Sequence, residues 1–210
     1  FAGIPAVMME RAPMRSAIVV ILFLANLAHG ATLRGGETPA APGAVEAVCP
    51  VSLQANPGEE PAVLLFDLTF DADWLAPVAL KVGEAAIAAG KSVGWYSLSP
   101  AAVRVLVSGL NQNVIPDGEV LLACFGVATE GGAASVAVNV VNSAASDPYG
   151  QPVAVSGESG YIHVRGPEVW VRFDHPDAEW GTPSFPFRTV ASAKSVLEVG
   201  GALKFFDGTT

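Results

Sequence analysis

Apolar residues at every second position constrain this chain more than any other feature. One set of alternate positions is apolar (Leu64, Phe66, Leu68, Phe70) and the intervening set includes Asp67, Thr69 and Asp71. A period of two is that of a half-buried β-strand and not of a helix. The same alternation recurs over 103–107, 121–127, 136–140 and 161–164. The sequence therefore predicts a domain built almost entirely of β-strands.

Turn signals separate these strands and favour a sandwich of two sheets. They are Asn56-Pro57-Gly58, Pro116-Asp117-Gly118, Gly131-Gly132 and Asp147-Pro148-Tyr149-Gly150. One helical turn, Glu84 to Ala89, is predicted to end at Gly90. Strands of this number, about seven to nine over roughly 120 residues, fit one sandwich domain.

Charge and composition exclude several functional classes. The chain has 11 Lys plus Arg against 20 Asp plus Glu, a net charge of -9, so it offers no basic surface for phosphate. We therefore expect no nucleic-acid partner. Charged residues make up 15% of the chain and apolar residues 51%, which is unlike disordered chains and coiled coils.

The N-terminal residues have the pattern of a secretory signal peptide over residues 1–30. Arg11 and Arg15 precede an eleven-residue apolar run, Ala17 to Leu27, and Ala28-His29-Gly30 suits signal peptidase. The run is shorter than the roughly twenty residues that span a membrane, so no membrane span is expected. Since Met14 could start a complete signal, Phe1 to Pro13 can be read as upstream read-through. The prediction is a secreted protein, extracellular or at the cell surface.

The next segment, 31–44, is predicted to be a flexible linker. It contains Gly35-Gly36, Pro39 and Pro42 and has no periodic apolar pattern.

Residues 45–165 resemble bacterial cohesin-like domains, which are sandwiches related to carbohydrate-binding modules. The resemblance rests on an aromatic-rich strand that ends in an acidic turn, and on later strand and turn segments in the same order. These are Phe66 to Asp71 with Leu75 and Val82-Gly83, then Gly109 to Asn111, Ile115 to Gly118, Leu121 to Val127, Ser146 to Val153 and Gly160 to Val164. Ala72 departs from the family, which often has Pro there. The resemblance implies a jelly-roll fold and adhesion to a dockerin-type protein module or to polysaccharide.

Residues 166–210 resemble the entry cap of a right-handed parallel β-helix of the pectin-lyase type. The resemblance follows an alternating strand, a proline-rich loop, a short helix with Thr189 as N-cap, and a second strand. These are Val169 to Asp174, Gly181-Thr182-Pro183, Pro186 to Thr189, Gly200-Gly201 and Leu203 to Phe206. A cap would cover the apolar end of a solenoid. Because the sequence stops at Thr210, we expect a truncated β-helix.

Three functions are consistent with these resemblances. The first is a secreted, non-catalytic binding module associated with extracellular polysaccharide breakdown. The second is the N-terminal fragment of a β-helix lyase or hydrolase whose active site lies in the missing coils, and the third is a structural adhesion protein. No cofactor and no catalytic residue is assigned, since no G-x-S-x-G, H-E-x-x-H or phosphate-binding glycine motif is present.

The candidate binding residues are Asn111, Gln112, Asn113 and Tyr149. The three amides lie in a loop between strong strands, where they could meet a partner or satisfy nearby backbone groups. Tyr149 lies in a turn and is the most plausibly exposed aromatic residue. A sugar-stacking platform could also include Trp74, Trp95 and Tyr96, although a tryptophan at the end of a strand is more often part of a core.

Two groups of acidic residues are candidates for a metal site or an acid–base site. Asp67, Asp71 and Asp73 share parity and could offer oxygen ligands to calcium, although a solvated face with a turn-capping Asp is the commoner arrangement. The cluster Asp174-His175-Pro176-Asp177, with Glu179, places a histidine between carboxylates, yet no nucleophile lies nearby in the sequence. We interpret this cluster as an ordinary loop after a strand.

His163 and the two cysteines complete the set of reactive side chains. His163 alternates with Ile162 and Val164, so it is predicted to point to solvent from an edge strand. Cys49 and Cys124 could form a disulfide in an exported protein. Their parities differ, however: Cys49 follows the core-facing positions and Cys124 does not.

Overall fold

The structure is a computed structural model that describes residues 30–130, 132–176, 179–197 and 201–206. The predicted signal peptide and its cleavage signal therefore lie outside the described residues, except for Gly30. The elements in chain order are β1 (Ala31–Gly35), β2 (Glu37–Ala40), β3 (Ala47–Ala55), β4 (Val63–Phe70), β5 (Leu75–Val82), α1 (Glu84–Ala88), β6 (Ser92–Ser99), β7 (Ala102–Ser108), β8 (Gly118–Val127), β9 (Ala134–Ser146), β10 (Pro152–Val153), β11 (Val155–Glu158), β12 (Gly160–Val164), β13 (Glu168–Val171), α2 (Val190–Val196) and β14 (Ala202–Phe205).

Two sheets form a sandwich around one apolar core. Sheet A has the strand order β11-β1-β3-β8-β5, and sheet B has the order β2-β12-β9-β4-β7-β6, with β10 paired to β9. Most pairs of neighbouring strands are antiparallel, whereas β1 with β11 and β2 with β12 are parallel. This arrangement confirms the predicted β-sandwich.

The core is made of the alternate residues that the sequence pattern indicates. Leu64, Phe66 and Leu68 of β4 are fully buried. They lie opposite Val107, Val105 and Val103 of β7, which are also fully buried. From the facing sheet, Phe125 packs edge-to-face on Phe70 with ring centroids 5.0 Å apart. Burial of these side chains is the main free-energy gain on folding.

The predicted linker over 31–44 is wrong for its first part, because β1 and β2 are strands of the sandwich. Ala31 and Leu33 are buried in the core beneath sheet A. The chain then crosses from sheet A to sheet B at Gly35-Gly36, where a Cβ on Gly35 would overlap the backbone of Gly160. Parallel pairing with β11 and β12 supplies the hydrogen bonds, and a strand of four or five residues is too short to show a clear period.

The short helix α1 confirms the predicted helical turn. It spans Glu84–Ala88, and its C-cap is Ala89. Gly90 follows with a φ of 67°, which is the left-handed conformation that glycine adopts at helix ends.

The C-terminal segment forms a separate strand–helix–strand unit. β13 pairs with β14 in parallel, and Val169, Val171, Phe187 and Ala193 form a small core of their own. Thr189 is the N-cap of α2, as predicted, and its side chain accepts a hydrogen bond from the Ser192 backbone N–H at 3.0 Å. The predicted strand 169–174 is shorter than expected and ends at Val171, while Gly200 lies outside the described residues. The β-helix cap stays a prediction.

Across the described ranges, we find no helix with both the length and the apolar character needed to cross a bilayer.

Candidate protein-binding surface

One face of sheet B is open to solvent over strands β9, β4, β7 and β6. The residues that alternate with the buried core positions point to this face, and the strand register places them opposite one another. We call this surface the open face. Its residues are Leu65, Asp67, Thr69, Tyr96, Arg104, Leu106 and Asn139, together with Asn142, whose side chain binds Asp67.

Asp67 and Arg104 form the polar centre of the open face. Arg104 Nε and Nη2 donate to the two carboxylate oxygens of Asp67 at 2.6 and 2.8 Å, which is a bidentate pair. Asn142 Nδ2 adds a hydrogen bond of 2.9 Å to Asp67 Oδ2. The Arg104 guanidinium holds the pKa of Asp67 below its ordinary value against the opposing effect of burial, and Asn142 assists. Asp67 and, to a smaller degree, Tyr96 raise the pKa of Arg104.

A β-bulge in β9 places the Asn142 side chain next to the Asp67–Arg104 pair. Leu65 lies opposite Ala144 and Asp67 lies opposite Val141, so β9 has one more residue than β4 between these contacts. Asn142 takes the left-handed conformation with a φ of 51°. Asparagine tolerates this conformation better than most residues, and a bulge re-aims the side chain that it carries.

Large apolar side chains surround this polar centre or lie on the adjacent edge strand β6. Leu106 is 41% exposed and Tyr96 is 56% exposed on the open face, and Trp95 and Leu98 of β6 are 40% and 44% exposed. The outer face of sheet A is different, because it carries exposed ion pairs such as Arg34 with Glu158. A surface with apolar anchors and internally paired charges is the type found at the centres of protein interfaces.

The amides Asn111 and Asn113 bind the backbone of their own fold. Asn111 Nδ2 donates to the carbonyls of Ala89 and Gly90 at 3.1 and 3.0 Å, and Asn113 Nδ2 donates to Ala89 at 3.2 Å. Buried Lys91 donates to Asn111 Oδ1 at 2.8 Å, and burial lowers the pKa of Lys91. The sequence left two roles open for these amides, a contact with a partner and bonds to nearby backbone. In the structure, Asn111 and Asn113 make bonds to the backbone at the end of α1.

Gln112 and Tyr149 are the exposed members of the predicted binding set. Gln112 is exposed in its loop, and Tyr149 is 82% exposed in the turn after β9, as expected. Ser146 pairs with Val63 at the start of β4, and the Ile115 N–H binds the Pro61 carbonyl. The Asn111–Asn113 loop and the Tyr149 turn therefore lie at the same end of sheet B. Trp74, by contrast, packs against the core.

The three aspartates considered for calcium do different things. Asp67 is buried against Arg104, whereas Asp71 is exposed and its Oδ1 accepts from the Asp73 backbone N–H at 2.9 Å, which closes the turn. In the part of the chain that the structure describes, no three His, Cys, Asp or Glu side chains are grouped so that they could hold a metal ion.

His163 is fully buried, so the prediction that it points to solvent is wrong. β12 is not an edge strand, because β2 pairs beside it. The C-terminal segment then covers the ring: Trp180 stacks on His163 with centroids 4.3 Å apart and planes at 11°. Phe185 packs edge-on at 5.3 Å.

One nitrogen of His163 is bonded and the other is not. Nδ1 is 2.8 Å from Ser135 Oγ, which is 2.6 Å from Thr182 Oγ1. Nε2 is buried without a hydrogen bond, 3.5 Å from Glu37 Oε2, and that carboxylate accepts from Trp180 Nε1 at 2.7 Å. Burial lowers the pKa of His163, and the nearby Glu37 only partly offsets this.

The carboxylates around His175 pair with arginines. Asp174 accepts from Arg172 at 2.8 Å and Glu179 from Arg188 at 2.6 Å, and each arginine lowers the pKa of its carboxyl partner. Asp177 lies outside the described residues.

The two cysteines are free thiols. Cys49 lies opposite Ala123 on β8, one position from the pair of Val48 with Cys124, so the thiols point to opposite faces of sheet A. Burial raises the pKa of Cys49 to about 11.

Sequence reasoning missed the open face as a site. The available signal was that β4 carries Leu65 among its outward positions, and that β7 and β6 carry Leu106 and Tyr96 there. Apolar residues on both sides of a strand indicate either a second covering layer or a docking surface.

Solved structures similar to this one include cohesins. The sixth cohesin of scaffoldin B from Acetivibrio cellulolyticus, in complex with a Cel5 dockerin, has a TM-score of 0.58 and 19% identity, covering 65% of this chain and 99% of that chain. A cohesin from a type I cohesin–dockerin complex of Clostridium thermocellum has a TM-score of 0.57 and 17% identity, covering 64% and 99%. A non-cellulosomal cohesin from the archaeon Archaeoglobus fulgidus has a TM-score of 0.54 and 18% identity, covering 65% and 92%. No family model and no curated protein matches the sequence. The chain has a cohesin-like fold.

Proposed function

We propose that this chain is a non-catalytic protein-binding module that holds a dockerin-type partner on the open face. The observation that carries the proposal is the exposed apolar surface around the Asp67–Arg104 pair on a cohesin-like sandwich. Two of the similar cohesins named above are in complexes with dockerins.

The open face suits protein binding for a physical reason. Its side chains stand on hydrogen-bonded strands, so little conformational entropy is lost when a partner docks. Leu106 and Tyr96 offer apolar area, while Asp67 already has its charge partner. A partner would therefore bury apolar surface without leaving that carboxylate unpaired.

The proposal extends to location and context. The Arg11/Arg15 and Ala17–Leu27 pattern supports secretion, and a dockerin-type partner would link the module to extracellular polysaccharide breakdown. The C-terminal segment would begin a β-helix, since β13, α2 and β14 already form a parallel strand–helix–strand unit.

The test is binding to a panel of immobilised dockerin modules, followed by calorimetry on those that bind. Leu106→Asp places an unpaired charge in the centre of the surface and should weaken binding at least tenfold, because burying such a charge in an interface is unfavourable. Val78→Asp is the matched control, since Val78 is also an exposed apolar residue but lies on β5 of the other sheet. Equal weakening by both variants, or no binding by any dockerin, would contradict the proposal.

Polysaccharide is the second candidate ligand, and Tyr149 is the observation that favours it. This ring is 82% exposed at the end of sheet B that also carries Asn111, Gln112 and Asn113. Flat exposed aromatic rings stack on sugars. Depletion from solution by insoluble polysaccharides should fall with Tyr149→Ala and persist with Leu106→Asp. The opposite order would exclude this end of the sandwich as the sugar site.

A further inference from the structure

A cleft of about 240 Å³ lies between the sandwich and the C-terminal segment. It is at the β2 and β12 side of sheet B, away from β7 and β6. The lining residues come from four neighbouring parts of the chain and are Pro39, Ala40, Ala41, Arg165, Gly166, Val169 and Val196. Arg165 therefore carries the single polar side chain among these lining residues, and the backbone supplies further polar atoms.

Arg165 has no carboxylate partner within the described ranges. The other described arginines each pair with an acidic residue, as Arg34–Glu158, Arg104–Asp67, Arg172–Asp174 and Arg188–Glu179. The Arg165 guanidinium instead donates from Nε to the Trp180 carbonyl at 3.2 Å, and its carbon lies 5.8 Å from the centre of the Trp180 ring. These contacts fix the side chain and leave its two terminal nitrogens as donors.

Arg165 differs in this respect from the other described arginines, although buried Lys91 also lacks a carboxylate partner among the described residues and donates to Asn111 instead. The sequence has 20 acidic residues against 11 Lys plus Arg, so counter-ions are abundant. Burial lowers the pKa of Arg165, which means that the guanidinium has lost part of its hydration without gaining an anion. Such a group is stabilised when a carboxylate reaches it.

We propose that the cleft binds a free carboxylate carried on a short aliphatic group, as at the C-terminus of a peptide that ends in valine or alanine. The planar guanidinium matches a carboxylate, and the apolar side chains of the proline, alanine and valine residues match the aliphatic part. The cleft is smaller than the roughly 300 Å³ at which sites for drug-sized ligands begin, so it suits one residue. The absence of a second polar side chain in its wall disfavours a sugar acid, whose hydroxyls would lose their hydrogen bonds to water.

The probe is N-acetylvaline, titrated into the ¹⁵N-labelled protein and followed by amide chemical shifts. The expected result is saturable shifts at Ala41, Gly166 and Val169, and none with N-acetylvalinamide, which has the same shape without the charge. Galacturonate should bind at least tenfold more weakly than N-acetylvaline. The amide chemical shifts of Leu106 and Tyr96 should not change during the titration, so that this cleft and the open face are tested separately.

Two variants test the assignment to Arg165 and to the cleft. Arg165→Gln should weaken N-acetylvaline binding at least tenfold, whereas Arg34→Gln, which alters an exposed pair on sheet A, should change it less than twofold. Ala41→Trp keeps every charge and should abolish binding by filling the cleft from an exposed position. Undiminished binding in Arg165→Gln or Ala41→Trp, equal binding of the amide or of galacturonate, or no saturable shift in the wild-type protein would overturn the proposal.

Discussion

Acidification should destabilise this protein through His163. The ring is fully buried, and its Nε2 has no hydrogen-bond partner, so a proton there would place a cation in a buried site between Trp180 and Phe185, with Glu37 Oε2 3.5 Å from Nε2. Two charged groups face it: Glu37 favours the proton and Arg165 opposes it, but burial is the largest effect and lowers the pKa of His163.

The sign and size follow from proton linkage. A histidine with a lowered native pKa contributes its full stability above the unfolded pKa of about 6.5, and that contribution is lost as the pH falls below it. The unfolded chain then binds a proton that the native state rejects. Between about pH 7.5 and about pH 5.5, a ring that stays neutral reduces the free energy of unfolding by about 1 kcal/mol, at most about 1.4 kcal/mol.

The assay is urea unfolding, followed by tryptophan fluorescence at both pH values, on the wild type and on His163→Gln. The variant keeps a polar atom for Ser135 and has no ionisable group at position 163, while every other ionisable group is the same in both proteins. We expect the difference between the two pH values to be about 1 kcal/mol larger in the wild type, or a Tm shift of about 2 to 4 °C. Identical pH dependence, or a wild type that gains stability on acidification, would refute this reasoning.

Two other predictions rest on single side chains. Asn142→Ala should destabilise the protein by about 2 to 4 kcal/mol and Asn142→Gly by about 1 kcal/mol less, because both variants lose the bond to Asp67 but only alanine is strained at positive φ. Chemical denaturation would measure both losses of stability, and equal losses would contradict this prediction. Cys49 and Cys124 should resist thiol reagents in the native state and react after unfolding, and a reducing agent should leave the Tm unchanged; a lowered Tm would reveal a disulfide.

The core of the sandwich was predictable from spacing alone. In an extended chain, alternate side chains take opposite faces whatever lies around them, so Leu64, Phe66 and Leu68 had to share a side. The helical turn at Glu84–Ala88 and the Thr189 cap were predictable because their signals lie within a few residues of each other.

The site was less predictable because its contacts join distant segments. Arg104 lies 37 residues after Asp67, and Asn142 lies 75 residues after it. The pattern of β4 marks Asp67 as outward-facing, but nothing local indicates that its carboxylate is buried by these partners. The left-handed Asn142 likewise depends on the register of β9 against β4.

The class of fold and the apolar side of β4, β7, β8 and β9 follow from amino-acid spacing, since both reflect the two-residue repeat of the extended backbone. The environment of His163 depends on contacts between segments that are distant in the sequence. Local spacing places this ring on the outward side of β12, and only the C-terminal segment, with Trp180 17 residues further on, removes it from water. Tertiary structure also made 31–40 into strands, because short segments rich in glycine become ordered when neighbouring strands supply their hydrogen bonds.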